Sequence, residues 1–308
     1  MKANISSTSS NIRIAAIGDL LLTTNLKKEY HGRGLECLNQ EIIDFFHSCD
    51  VVLANLECTL AGHDTITREP KLITTTKQLK SLKYAGINVV TLGNNHTFDC
   101  LEEGFLSTTK FLDEHDIFWC GAGKNNNKAL QPAIMELAGI KLAFLNVVDE
   151  STGMQQFAGE NKSGVPLLNI EIVCQKISEL ANEVDHVIVV PHWGKERFRI
   201  PTPQQRKQAR SMIKAGASFI LGHHPHVIQG MELYNNVPIV YSLGNFLANN
   251  VYFDQSEDLT WNKFERTGCI FTADIDKINV NSIKQIASFD NKSTICFEKT
   301  GWGDRCLQ

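Results

Sequence analysis

Five histidines lie in three short segments, and each segment directly follows an apolar run that suits a buried strand. They are His96, His192, His223, His224 and His226. Two carboxylates, Asp19 and Glu57, follow two other runs of the same kind. Imidazole and carboxylate together suit zinc, manganese or iron without any thiolate ligand. This pattern predicts a hydrolytic divalent-metal site, in which two ions roughly 3.5–4 Å apart can bridge an attacking hydroxide.

The sequence pattern predicts alternating strands and helices, which must bring these side chains together. The strand-like runs are Ile12–Ile17, Val51–Leu56, Asn88–Leu92, Val187–Val190 and Phe219–Leu221, and their composition suits strands buried on both faces. Amphipathic segments predict helices near 35–47, 77–85, 101–114, 169–183 and 203–215. Because ligands gather at the carboxyl ends of strands in open α/β sheets, the polar segments are expected to share one edge.

Two hairpins and a strand-rich tail complete the predicted fold. The hairpins are Ala133–Leu137 with Ile140–Asn146, and Met231–Tyr234 with Val237–Ser242, and the residues that connect each pair have turn chemistry. The segment from Gly268 to Phe297 alternates apolar and polar residues, as added strands would. We therefore predict a flexible tail over residues 1–11 and a single mixed-sheet α/β domain over residues 12–308, with two packed sheets.

Composition narrows the classes of protein to which the chain can belong. A formal net charge of -4 over 308 residues argues against a general nucleic-acid binder. No apolar run has the length of a signal peptide or a membrane-spanning helix, which predicts a cytoplasmic protein without a membrane anchor. The nine cysteines are scattered and include no Cys-x-x-Cys pair, so reduced thiols are expected rather than a cysteine zinc site.

The order of the polar segments resembles the five-motif signature of calcineurin-like metallophosphoesterases. That order is Asp, then an acidic residue, then Gly-Asn-x-His, then a lone His after a strand, then Gly-His-x-x-His. Three variants resemble the branch named for the poly-γ-glutamate capsule synthesis protein CapA: Asn55-Leu56-Glu57, His192-Trp193-Gly194-Lys195-Glu196, and the run from Gly222 to Phe246. The resemblance covers roughly residues 12 to 250. It implies a layered sandwich of two mixed β-sheets flanked by helices.

The resemblance also implies a set of metal ligands. Asp19 and His226 would bind the first metal, and Glu57 would bridge both metals. Asn95, His192 and His224 would bind the second. One position departs from the family pattern, because Leu21 stands where the superfamily usually has a histidine ligand. The expected cofactors are therefore divalent ions, two in number (Mn, Zn or Fe), with fewer protein ligands at the first site.

Other residues are implied to act around these metals. His96 would protonate the leaving group, work for which an imidazole that titrates near neutrality is suited. Asp99 or Glu196 would orient an imidazole. Candidate contacts to an anionic substrate are His223, Arg197 and Arg199, although the two arginines equally suit a solvated face.

The function implied is hydrolysis, in which a metal-bound hydroxide attacks a phosphoester or a γ-glutamyl (amide) bond. The alternative is a non-hydrolytic accessory or polymer-binding protein in poly-γ-glutamate or capsule metabolism, with a small or polymeric anionic partner in either case. Nucleic-acid processing is disfavoured by the negative charge. Two long loops, Asp149–Pro166 and Leu247–Thr267, are either lids over the site or flexible surface excursions.

Overall fold

A computed structural model describes residues 11–24, 32–154, 156–253 and 259–298. The predicted flexible tail therefore lies outside the described residues, apart from Asn11. The helices are α1 (Gln40–His47), α2 (Thr76–Tyr84), α3 (Leu101–Glu114), α4 (Asn126–Ala129), α5 (Ile170–Leu180) and α6 (Pro203–Lys214). No helix in these ranges is both long and apolar enough to cross a bilayer.

Sixteen strands are present in the same ranges. They are β1 (Ile12–Leu21), β2 (Val51–Leu56), β3 (Thr59–Leu60), β4 (Ile73–Thr74), β5 (Val89–Thr91), β6 (Phe118–Cys120), β7 (Ala133–Leu137), β8 (Ile140–Val148), β9 (His186–His192), β10 (Phe219–Leu221), β11 (Met231–Tyr234), β12 (Val237–Val240), β13 (Asn245–Ala248), β14 (Thr267–Ile275), β15 (Val280–Asp290) and β16 (Ile295–Phe297). The five predicted strands, the five predicted helices, both hairpins and the strand-rich tail are thereby confirmed, with ends that shift by a few residues.

Two large mixed sheets dominate the architecture. The first has the order β16-β15-β14-β1-β2-β5-β6, with β13 also paired to β1. In this sheet β1, β2, β5 and β6 are parallel to one another. The strands β14, β15 and β16 each pair antiparallel with the neighbour that precedes them in the order from β1 outward. The second has the order β11-β12-β10-β9-β8-β7, with a parallel centre and antiparallel edges. The parallel centres direct the carboxyl ends of several strands toward one edge of each sheet.

Side-chain alternation along the strands builds three apolar layers. On β1, Ile14 and Ala16 face a core shared with the second sheet, where they join Phe144 of β8. The intervening residues of β1 face the core under α1, α2 and α3. The outer face of the second sheet packs against α5 and α6. The result is a helix–sheet–sheet–helix sandwich, which confirms the predicted fold class.

The first strand continues past its predicted end at Ile17. It runs to Leu21 because β13, which was not predicted as a strand, pairs with it in parallel and aligns Asp19 with Asn245. Asp19 was expected to follow the strand and instead lies inside it, at a register irregularity. This pairing joins residues more than two hundred positions apart, which the local pattern does not reveal.

Asn146 on β8 connects the two sheets close to their carboxyl ends. Its Oδ1 accepts a hydrogen bond from Gly93 N at 2.5 Å, and its Nδ2 donates to Val190 O at 2.6 Å. Gly121 leaves room for this side chain, because a Cβ at that position would lie 1.7 Å from Asn146 Oδ1. Gly121 also has a φ of +96°, a region that side-chain-bearing residues rarely adopt.

We expect Gly121→Ala to lower the free energy of unfolding by about 2–4 kcal/mol, because backbone strain adds to a clash in a packed interior. Gly139→Ala is the matched control, since Gly139 also has positive φ (+78°) but a Cβ added there would have nothing within 4 Å. Its expected cost is about 1–2 kcal/mol, from backbone strain alone. Urea denaturation measures both, and equal losses would contradict the steric argument.

Candidate metal centre

The predicted ligands converge at the carboxyl ends of both sheets. Asp19 comes from β1, Glu57 follows β2, and Asn95 follows β5. From the second sheet, His192 ends β9, and His224 and His226 follow β10. All six side chains are buried. The structure therefore brings together residues that span most of the chain.

Glu57 lies at the middle of this cluster. Its Oε1 is 3.6 Å from His226 Nε2 and 3.8 Å from His192 Nε2. Two groups of side chains have ligand atoms within 4.8 Å of one another: Glu57 with His224 and His226, and Glu57 with Asp19 and His192. Glu57 belongs to both groups. A carboxylate shared by two groups is the arrangement that a bridging ligand of two metals requires.

Several buried atoms of the cluster have no hydrogen-bond partner among the described residues. They include Glu57 Oε1 and the Nδ1 atoms of His192 and His224. A buried polar atom without a partner costs about 1–3 kcal/mol, so a native protein rarely leaves several together. Imidazole nitrogens and carboxylate oxygens are the ligands that zinc, manganese and iron accept. The donor set thus fits divalent metal ions.

Two histidines of the cluster are held in the neutral form. Burial, together with the neighbouring His224, holds the pKa of His192 well below its usual value. Burial, together with His226, lowers the pKa of His224 to about 3. A neutral imidazole has the free lone pair that a metal ligand needs. Both rings are therefore ready to coordinate at neutral pH without losing a proton.

His226 and Glu57 instead have raised pKa values, whereas the pKa of Asp19 is lowered despite its burial, because of its hydrogen bond with His226. Burial opposes a charge on His226, but the carboxylates of Glu57 and Asp19 overcome it and raise its pKa to about 10. Burial raises the pKa of Glu57 well above its usual value, although the nearby His226 opposes this. Both shifts favour protonated groups. In the metal-free cluster, a proton supplies the positive charge that a metal ion would otherwise bring.

Metal binding is therefore expected to release at least about one proton per chain near neutral pH, because ligands coordinate through deprotonated atoms. The raised pKa of His226 fixes the sign: lower pH fills the proton site, so the apparent affinity should rise with pH. Titration calorimetry with Mn²⁺, in buffers of different ionisation enthalpy, measures the protons released. An affinity that stays constant from about pH 6 to about pH 8 would contradict this competition.

Two asparagines orient the ligands. Asn55 Nδ2 donates to Asp19 Oδ1 at 2.8 Å and to Glu57 Oε2 at 3.2 Å, so it spaces the two carboxylates. His226 Nδ1 donates to Asn245 Oδ1 at 2.9 Å, while Asn245 Nδ2 donates to Glu265 O at 3.0 Å. With Nδ1 committed in this way, His226 presents Nε2 to Glu57. Such partners fix the tautomer and ring orientation of a metal-bound histidine.

His96 and Asp99 form a separate pair beside the cluster. His96 Nδ1 donates to Asp99 Oδ2 at 2.7 Å, and Leu72 N donates to the same oxygen at 2.7 Å. Both side chains are buried. Because Nδ1 is paired with Asp99, Nε2 is the ring nitrogen that is available for proton transfer. Glu196, the other predicted orienting residue, is exposed.

The backbone that carries the last two histidines is strained. His224 has a φ of +96° and His226 a φ of +56°. A left-handed conformation costs a residue with a side chain roughly 1–2 kcal/mol. Strain of this kind persists where the surrounding structure holds it and is concentrated at functional sites. Here it directs two rings from one short loop into one cluster.

Leu21 stands at the position of the usual histidine ligand, but its side chain lies in the apolar core and not in the cluster. It is buried in the core under α1, α2 and α3 and pairs with Ala248 of β13. No side-chain nitrogen or oxygen takes its place from β1. A first metal site at this place would therefore have fewer protein ligands than the superfamily pattern implies.

The remaining candidate contacts lie outside this cluster or beneath it. His223 is buried, and its Nε2 lies 3.1 Å from Ile17 O. Arg197 Nε is 2.8 Å from Glu265 Oε1. The guanidinium of Arg199 lies 5.0 Å from the ring centroid of Phe264. The contact of these three residues with substrate stays a prediction.

The long loop from Asp149 to Pro166 is attached to the centre through Arg68. Arg68 donates from Nη1 to Gly153 O at 2.8 Å and from Nη2 to Asn95 O at 3.2 Å. Met154 and Val165 of the loop are buried in the core. The described part of this loop is therefore anchored rather than free.

Sequence reasoning did not identify three neighbours of the centre. Asn55 and Asn245 lie in segments that the family resemblance had already marked, so a signal for them existed. Trp261 had no such signal. Its ring centroid lies 5.5 Å from that of His226, and its Nε1 donates to Asn249 O at 2.8 Å.

A family model and two relatives that match this chain are all described as proteins of capsule or PGA synthesis. Residues 13–250 match the family model "Bacterial capsule synthesis protein PGA_cap". The PGA biosynthesis protein CapA of Bacillus subtilis is 32% identical over 78% of this chain, and the match covers 62% of that protein. The capsule biosynthesis protein CapA of Bacillus anthracis is 28% identical over 79% of this chain, and the match covers 60% of that protein. The chain thus spans about three fifths of the length of these relatives.

Two solved structures share the fold. The NAD nucleotidase NadN of Haemophilus influenzae matches 97% of this chain and 55% of its own, with a TM-score of 0.51 and 12% identity. A Staphylococcus aureus protein described as a putative 5′-nucleotidase matches 96% of this chain and 57% of its own, with a TM-score of 0.56 and 12% identity. At this identity the likeness concerns the fold alone.

Proposed function

The chain belongs to the PGA_cap family of bacterial capsule synthesis proteins, with a metallophosphoesterase-type fold, and we propose from this that it is a metal-dependent hydrolase. One observation carries the proposal: a buried imidazole–carboxylate cluster, with ligand atoms that have no partner in the described part of the chain, stands beside a His96–Asp99 pair. A purely structural core would pair those atoms or replace them with apolar groups.

The ligands divide between two positions that share Glu57. By the family resemblance, Asp19 and His226 would hold one ion, and Asn95, His192 and His224 the other. The two groups of ligand atoms within 4.8 Å cross this division, because they place His224 with His226 and Asp19 with His192. Bound divalent ions would supply a Lewis acid and an activated water for hydrolysis. Asn55 and Asn245 hold the carboxylates and the His226 ring in place before any ion arrives. Such preorganisation is what a metal site on rigid strand ends provides.

His96 is the proposed general acid. Asp99 accepts from Nδ1, which holds the ring in one orientation and supports a positive charge on it. The proton on Nε2 would pass to the leaving oxygen or nitrogen as the scissile bond breaks. Proton transfer of this kind contributes typically about 10²–10⁴-fold to rate. His192 and His224 do not suit this role, because both are held neutral within the cluster.

Two bonds are candidates for cleavage. The fold neighbours include nucleotidases, which favours a phosphoester. The relatives are described as proteins of PGA and capsule biosynthesis, which favours a γ-glutamyl amide. The same arrangement of ligands and acid serves either bond, since both reactions need an activated water and a protonated leaving group.

The second candidate function is a non-hydrolytic accessory that binds an anionic polymer. Leu21 favours it, because the first site loses a ligand to the apolar core. Under this alternative His96 and Asp99 shape the surface of the site without transferring a proton.

A screen with measured metal content distinguishes the two functions. Chain loaded with manganese, zinc or iron is assayed on phosphomonoesters, phosphodiesters and γ-glutamyl peptides. The hydrolase proposal expects turnover of one class, and a loss of both turnover and metal in His192→Ala and His224→Ala. Bound metal with no turnover of any class would instead support the accessory. A chain that binds no metal would contradict both metal assignments.

A further inference from the structure

A small basic pocket lies next to the metal centre. Its volume is about 150 Å³, the space of a few water molecules. The residues that matter in its lining are Arg33, Asn249, Trp261, Arg266, Asp290 and Lys292. Three of these side chains are cationic and one is anionic, in a chain whose overall charge is -4. The lining residues of the pocket therefore carry a net positive charge, whereas the whole chain is negative.

Asp290, the one carboxylate among the lining residues named above, is ion-paired with Arg33. Arg33 donates from Nη1 and Nη2 to the two oxygens of Asp290, at 2.7 and 2.6 Å. The backbone N of Lys292 also donates to Asp290 Oδ1, at 2.8 Å. Asp290 is 2% exposed, so this bidentate pair forms a fixed wall. Its negative charge is balanced by Arg33.

Two positive charges remain without a carboxylate partner in the described ranges. Arg266 donates from Nη1 to the backbone carbonyl of Asp290, at 2.6 Å, and its Nε is buried without a partner there. Lys292 forms no ion pair with an acid of the described residues. A partly buried guanidinium and an exposed lysine on the lining of one small space favour an anionic oxygen group, planar or tetrahedral.

The pocket adjoins the metal centre, because Trp261 and β13 contribute residues to both places. Trp261 lines the pocket and packs against the ring of His226. On β13, Asn245 holds His226 while Ala248 lines the pocket. Those two residues are three positions apart on one strand, which corresponds to roughly 10 Å. The pocket and the centre are therefore neighbours along one strand, at a separation comparable to the length of a small substrate.

We propose that this pocket is an anion subsite, which binds a carboxylate or phosphate group of a substrate whose cleaved bond lies at the neighbouring metal centre. The inference rests on the proposed function, since it names a feature of that enzyme's substrate. A γ-linked glutamate polymer would offer repeated carboxylates at suitable spacing, and a nucleotide-like substrate would offer a second phosphate.

Binding to the metal-free full chain tests the subsite without any need for catalysis. Inorganic phosphate and γ-glutamylglutamate are each titrated into chain stripped of metal, so that ions at the centre cannot bind the anion. We expect one of the two probes to bind, and Lys292→Gln and Arg266→Gln each to weaken it roughly tenfold. Lys284→Gln, on β15 outside the pocket, is the matched control and should leave the affinity unchanged. Failure of both probes, or equal affinities in all variants, would overturn the subsite.

Turnover provides a second readout with its own outcome. Metal-loaded chain is compared on a pair of substrates that differ only in a second anionic group. The preference for the doubly anionic substrate, taken as a ratio of kcat/KM values, should fall roughly tenfold in Lys292→Gln. An unchanged ratio would refute the subsite while leaving the hydrolase in place. Conversely, absent turnover with anion binding that still depends on Lys292 would refute the hydrolase alone.

Discussion

Replacement of His96 by alanine should lower kcat by about 10²–10⁴ while the metal content per chain stays at the level of the parent protein. The imidazole pairs with Asp99 through Nδ1, and it is absent from both groups of ligand atoms that surround Glu57. Its removal therefore takes away the proton donor without removing a ligand. Steady-state kinetics and elemental analysis on the same preparation measure the two quantities.

A second histidine–carboxylate pair supplies the control. His63 Nδ1 lies 2.6 Å from Glu103 Oε1 on an exposed part of the surface, so His63→Ala removes the same chemistry from a place without ligands. It should leave kcat unchanged. Asp99→Asn should produce an intermediate loss, because the ring persists but its charge support weakens. A His96→Ala variant with full activity would refute the general-acid role.

Substitution of Glu57 by glutamine should remove most of the stability that metal ions confer, and change the stability of the metal-free chain by less than about 1 kcal/mol. Burial raises the pKa of this carboxyl well above its usual range, so glutamine resembles the neutral form already favoured without metal. With metal, however, glutamine lacks the charge of a bridging ligand. Ligand binding at about 100 to 1,000 times Kd adds about 2.7–4.1 kcal/mol, and this increment is what the variant should lose.

Thermal unfolding with chelator and with excess Mn²⁺ measures that increment as a difference in Tm. Glu265→Gln is the matched control, because Glu265 is also buried but pairs with Arg197 instead of facing the cluster. That variant should be less stable without metal yet retain the full metal-dependent rise in Tm. A Glu57→Gln protein that still gains the full increment would exclude Glu57 as a ligand.

Much of the centre was predictable because its signals are local. A histidine or carboxylate that directly follows a buried apolar run must emerge at the carboxyl end of a strand, and strand ends of parallel sheets meet. The sequence around Glu57, Asn95 and His192 contains this signal in full. The convergence of these side chains could therefore be predicted without knowing which strands pair.

The features that escaped prediction depend on pairings between distant parts of the chain. β13 is a strand because it pairs with β1, and that pairing extends β1 through Asp19. Trp261 reaches His226 from a loop whose local pattern carries no structural signal. Arg197 was a candidate for substrate contact, but its local sequence does not indicate the acid at Glu265 that it pairs with. In each case the partner is far away in sequence.

The span of the cluster along the chain sets the order of events during synthesis. Asp19 and His224 contact each other across 205 positions, and β1 takes its place beside β13 and β14 only after those strands exist. A nascent chain that has emerged from the ribosome only as far as β10 has no complete set of ligands. Since domains generally fold as units once their residues have emerged, a metal bound at this cluster would be acquired late. The ion that binds would then depend on the ions free around a nearly folded domain as much as on the ligands themselves.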